Sequence, residues 1–185
     1  MLTIPVGHTL AALCDVLGNI DTVSARLARR RTQVLALDTG EMLPMTAPDQ
    51  VLISGLLANG APLAIHYRGG LQRGAVGLVW DINGVDGDIR VTAPSGHTQM
   101  VPLSIEGARG DERSLHPLEV PAAYLADCPD DPITGNVARM YARMAADLAQ
   151  GTRTAPGFDD AVALHRLIAA VEAADEHGGR VRLSP

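Results

Sequence analysis

His8 and Thr9 stand directly after Gly7 and immediately before an apolar helical pattern, in "VGHTLAALCDVLG". An imidazole at a helix start can do three things. It can cap or line a wall, it can contact a ligand hydroxyl, or it can move a proton as general acid or base. Farther on, His66 and Arg68 alternate with Ile65 and Tyr67, so they share one strand face, where a guanidinium could hold a carboxylate or a sugar hydroxyl. A solvated strand end explains the same pair. Trp80 has the ring area to stack on a sugar, or to fill a core. The candidate substrate-binding residues are therefore His8, Thr9, His66, Arg68 and Trp80, with His8 the one catalytic candidate.

The remaining polar residues read as structural. His97 and His116 fall in turns, His165 sits in a helix, and Asp159 and Asp160 suit the first turn of a helix, where negative charge meets the dipole. Cys14 and Cys128 lack C-x-x-C spacing and ligand-spaced histidines, so no metal is expected and both read as reduced. All fifteen basic residues are arginine, which excludes a Schiff base or a lysine general acid. A dinucleotide needs a G-x-G-x-x-G turn behind a strand. Among nineteen glycines no two are separated by a single residue, so this chain alone is expected to bind no cofactor.

The elements that must position these groups follow from hydrophobic period. Leu10, Leu13, Cys14 and Leu17 define one apolar helix face, stopped by Gly18 and preceded by a short extended run. The period then falls to two through "TVSARLARR", "QVLISGLL", "PLAIHYRG", "AVGLVWDI", "GDIRVTA" and "MVPLSIEG", six strands without helix-length connections and so mostly antiparallel. From about Asn136 a helical period returns. Val137, Met140, Tyr141, Met144 and Leu148 form one stripe ended by Gly151; Phe158, Ala161, Leu164, Leu167, Ile168 and Val171 form another, ended by Gly178 and Gly179. The strand "RVRLS" follows, and the least regular stretches are 37–48 and 107–135. The expected class is α+β, an open sheet of six to seven mostly antiparallel strands with helices on one face.

At 185 residues the chain suits one domain, spanning 1–185, that buries roughly 70% of its extended-chain surface. The net charge of −6 argues against nucleic acid, the short run Arg29–Arg31 reading as a solvated strand end, and aromatic content of 3% leaves no stacking platform. No apolar run reaches the ~18 residues of a membrane span. A secretion signal is not indicated either, because no basic segment precedes the apolar residues and Pro5, His8 and Asp15 interrupt them. The expected location is cytoplasmic.

"VGHTLAALCDVLG", "GLVWDINGVDGDIRV" with its W-x-I-x-G-x-x-G-x-I pattern, and "GFDDAVALHRLIAAVEAADEHGGRVRL" together resemble the C-terminal domain of the Gfo/Idh/MocA oxidoreductases, in the branch of the galactose-regulon repressor and its dehydrogenase relatives. The resemblance implies a missing N-terminal Rossmann domain for NAD(P), while this domain supplies the substrate floor and the oligomer interface. It also implies that His8 lies beside a substrate hydroxyl. The family's carboxylates near that histidine are replaced here by Ile4 and Ala11, which removes the partner that fixes a general base's tautomer.

Two functions remain. One is the substrate-binding and oligomerising half of an NAD(P)-dependent sugar or polyol oxidoreductase, either a fragment of it or a chain working with a separately encoded Rossmann partner; the other is a stand-alone, non-catalytic module binding a small ligand or a protein. In both, the sheet has a second apolar face. Val51, Ile53 and Leu57 point one way and Leu52 and Leu56 the other, so self-association through that face, as a dimer, is expected.

Overall fold

The computed structural model describes residues 1–70, 73–125 and 128–183. They form two compact units, one of Met1–Leu71 with Gly157–Pro185 and one of Gln72–Pro156. The chain is α+β with antiparallel sheets, as the alternating patterns require.

In the first unit, residues Leu2–Val6 are a π-helical turn that runs into helix α1, Gly7–Leu17. The expected extended run is therefore corrected: Pro5 sits in the opening turn, where its missing N–H costs no helical bond. Strand β1 (Ile20–Ala28) is followed by the two short strands β2 (Gln33–Leu35) and β3 (Met42–Pro44), then β4 (Gln50–Leu57) and β5 (Pro62–Arg68). A four-stranded sheet has β1 and β4 at its centre, with β5 at one edge and the later strand β10 (Val181–Arg182) at the other. Of the closing strand read from sequence, Ser184 lies outside the described residues.

Helix α3 (Phe158–His177) packs along β1. The core of this unit joins Leu10 and Leu13 of α1, Val23, Val51 and Ile53 of the sheet, and Leu167, Ile168 and Val171 of α3. A Cβ added to Gly7 would sit 3.4 Å from Ile168 Cδ1, which shows how closely the two helices approach. The α3 stripe differs from the sequence expectation. Phe158 is 93% exposed and Leu167 only 4%. Nine residues at about 100° each turn the helix through two and a half circles, so those two positions face opposite ways.

Alternation along β4 holds as read: Val51, Ile53 and Leu57 are buried, and Leu52 and Leu56 are exposed on the outer face. The outer face also carries His66 and Arg68, opposite Leu52 and Gln50 in register. Gly55 is required by contact, because a Cβ there would run into the Thr22 carbonyl oxygen where β1 is bulged.

The second unit holds β6 (Leu78–Asn83), β7 (Gly87–Ala93), β8 (Ser104–Arg109) and β9 (His116–Pro117), paired in that order. All seven strands read from sequence are thus present, divided between two four-stranded sheets. The third strand of this sheet starts later than read, since Met100 N–H turns back to the His97 carbonyl and Pro102 follows. Helix α2 (Pro132–Gln150) is capped by Asp131, whose Oδ2 accepts the Thr134 N–H at 2.9 Å, and stops at Gly151 in the left-handed conformation. Its stripe of Val137, Met140, Tyr141 and Met144 remains exposed.

Candidate functional site

His8 occupies the first turn of α1 and is exposed. Its neighbour Thr9 is buried, and the Thr9 hydroxyl donates to the Pro5 carbonyl at 3.1 Å. The Thr9 side chain is also hydrogen-bonded with the Tyr67 hydroxyl. Burial pushes the Tyr67 hydroxyl above its ordinary range, against the opposing effect of Thr9, so Tyr67 stays protonated at neutral pH. The result is a small polar pair, Thr9 and Tyr67, on the helix-covered side of the sheet, with the exposed His8 next to Thr9 in the chain.

No acidic residue stands in the first turn of α1; Ile4 and Ala11 flank His8 instead. The Thr9 and Tyr67 hydroxyls offer donors and acceptors that suit ligand hydroxyl groups better than they suit proton abstraction.

His66 and Arg68 lie on the other side of the same sheet. His66 Nε2 is 3.1 Å from Gln50 Oε1, and Arg68 is opposite Gln50. Trp80 belongs to the second unit, half-buried in β6 and paired with Val91. The fold thus joins His8 with Thr9, places His66 beside Arg68 on the opposite face, and puts Trp80 in another unit.

Two residues that the sequence reading passed over have defined roles. Tyr67 follows from the parity argument that placed His66 and Arg68: the residue between them must point inward. Asp49 carried no comparable signal. It is 1% exposed, and its carboxylate accepts the N–H of Arg30 at 2.8 Å and of Arg31 at 3.1 Å, with Arg31 Nε at 4.0 Å. Its own backbone bonds Ala28 and Gly69, so it ties the ends of β1 and β5 to the start of β4. The Arg30 N–H, with the other donors around it, holds the Asp49 carboxyl below the usual carboxylate range.

The described residues do not fit a nicotinamide dinucleotide. Every strand pairing among them is antiparallel, leaving no parallel β-α-β crossover with a glycine turn to receive a pyrophosphate. No group of three or more His, Cys, Asp or Glu among them is placed to hold a metal ion. No helix among them is long and apolar enough to cross a membrane.

Comparison with known proteins bears out the resemblance. The family described as "Gal80p, C-terminal domain" matches residues 1–93. The galactose/lactose metabolism regulatory protein GAL80 of Saccharomyces cerevisiae is 27% identical over 186 aligned residues, covering 78% of this chain and 41% of that protein. Among solved structures, a super-repressor mutant of Gal80p from the same yeast superposes with a TM-score of 0.82 at 22% identity, over 100% of this chain and 50% of that one. Levoglucosan dehydrogenase in its apo form gives 0.72 at 15% identity, over 98% of this chain and 50% of that one. The chain therefore spans about half the length of these relatives, and the structural likenesses speak for the fold.

Proposed function

Because this chain belongs to the Gal80p C-terminal-domain family, we propose that residues 1–185 work as one region, the ligand-binding and oligomerising half of a Gfo/Idh/MocA-type protein. It supplies the floor for a sugar or polyol and the contact between subunits, and NAD(P) is held by a partner dinucleotide-binding domain. The observation that carries this reading is the Thr9–Tyr67 hydroxyl pair with the exposed His8 next to Thr9 in the chain, a set of hydrogen-bonding groups matched to ligand hydroxyls. His66 and Arg68 then belong to the subunit contact, through the outer face with Leu52 and Leu56. A cytoplasmic setting suits the two free cysteines.

A second reading has its own support. Ile4 and Ala11 flank His8, no lysine exists in the chain, and the regulator GAL80 is a sequence relative. Those features favour a regulatory module that binds a ligand without transforming it.

Calorimetric titration with a panel of neutral sugars and polyols tests the ligand claim. Saturable binding that weakens about tenfold in His8→Ala is expected, a loss of about 1.4 kcal/mol. Absence of binding across the panel would overturn the floor assignment in both readings. The two separate on addition of the dinucleotide-binding partner and NAD(P)H: turnover of the bound sugar supports the oxidoreductase, and tight binding without turnover supports the regulator.

A further inference from the structure

Strands β2 and β3 form a hairpin that stands apart from the sheet of its own unit. Val34 pairs with Leu43 and Leu35 with Met42, so each side of the ribbon carries an apolar pair, and every strand residue is exposed. Leu37, just past β2, is 91% exposed. A two-stranded ribbon alone is marginal in water, and apolar side chains on both sides add to the reasons for covering it.

The hairpin leaves where β1 ends and returns where β4 begins. Its base is clamped: Met45 N–H bonds the Thr32 carbonyl, Arg29 Nη1 bonds the Met45 carbonyl, and Asp49 holds the Arg30 and Arg31 amides. A ribbon fixed there, with all its strand residues open to water, does not lie back on its own sheet. From Gln33 to Ala36 it runs about 13 Å at the usual rise per strand residue before the turn of residues 37–39.

The outer face of the sheet has the complementary character. It exposes Leu52 and Leu56 beside His66 and Arg68; Arg26, opposite Leu52 in register, is ion-paired at 3.5 Å with Asp175 of α3. The hairpin tip carries Asp38 and Glu41, both exposed. Apolar faces apolar, and acid faces base. Because both surfaces belong to one chain, a two-fold pair satisfies both hairpins and both sheets at once.

We propose that the β2–β3 hairpin is an exchanged arm: in the dimer, each copy's hairpin lies on the outer sheet face of the other, with Leu35, Leu37 and Met42 over Leu52 and Leu56 and with Asp38 and Glu41 toward Arg68. The inference rests on the dimer proposed above and names the segment that makes it. It assigns the specificity of self-association to charge at the arm tip.

Sedimentation velocity on the intact chain tests this at micromolar concentration. The wild type is expected to be a dimer. Asp38→Arg with Glu41→Arg is expected to weaken association several-fold, Arg68→Glu to do the same, and the three changes together to restore most of it. A variant with 33–44 replaced by a short Gly-Ser turn is expected to be monomeric. A monomeric wild type overturns the dimer and the arm together. A dimer indifferent to both charge sets and to loss of the hairpin overturns the arm alone, and means that the sheets meet face to face.

Discussion

Leu167→Ala tests where α3 meets its sheet. Leu167 is 4% exposed, beside the buried Ile168 and Val171, on the helix that packs along β1. Truncation removes three carbons from the core, about 2.4 kcal/mol at ~0.8 kcal/mol per buried methylene. The cavity left behind adds to this, because a helix held at Gly7 and along β1 cannot fully collapse into it; the sum falls near 3 kcal/mol, inside the ~2–5 kcal/mol range for buried leucines. With a urea slope of about 1–3 kcal/mol per molar, the midpoint drops by about 1–3 M. Phe158→Ala is the control on the same helix. At 93% exposed, Phe158 has little packing to lose, and its truncation should change stability by less than about 0.5 kcal/mol. Urea unfolding followed by circular dichroism, together with amide-exchange protection of β1, reads both variants. Equal costs, or a larger cost at Phe158, would refute the helix phase described here.

Titration of the chain with NAD(H) or NADP(H) should give no saturable heat, and micromolar saturation would show a dinucleotide site that antiparallel sheets do not offer. Asp49→Asn should lower the urea midpoint at pH 7. The folded carboxyl titrates below its unfolded value of about 3.9, so its contribution is present above that pH and is lost as pH falls through the lowered folded value. The acid-side fall in stability should accordingly be shallower in the variant, and identical pH profiles would deny Asp49 its role. Gly55→Ala should cost about 1–3 kcal/mol or more, since its Cβ would overlap the Thr22 carbonyl oxygen; a neutral result by thermal melting would mean that β1 and β4 part easily at the bulge.

Strand content was legible where alternation ran long enough. Val51 to Leu57 reads inward and outward in turn, and the fold follows it residue by residue. The hairpin was not, because strands of three residues around Thr39–Gly40 fall below the length at which period two can be told from a loop. The α3 stripe was half legible: Leu164 to Val171 stay in phase, whereas Phe158 drifts to the other side. In the candidate site, His8 and Thr9 were marked by their place at a helix start. The inward partner of Thr9, Tyr67, was reachable by parity alone. Asp49 was not, since its carboxylate is buried by contacts across three chain segments that no local pattern encodes. How Trp80 would relate to His8 is a matter of tertiary placement, outside the reach of period and spacing.

The corner at the start of α1 is the centre of this account, and nuclear magnetic resonance can locate a ligand there directly. An isotope-labelled chain titrated with the tightest-binding sugar or polyol should show saturating shifts at the amides of Gly7, His8 and Thr9 and at the Tyr67 ring, with the outer-face residues Leu52, Leu56 and Arg68 unmoved. Saturating shifts confined to the outer face or to the strands around Trp80, with the His8 and Tyr67 signals unchanged, would contradict it.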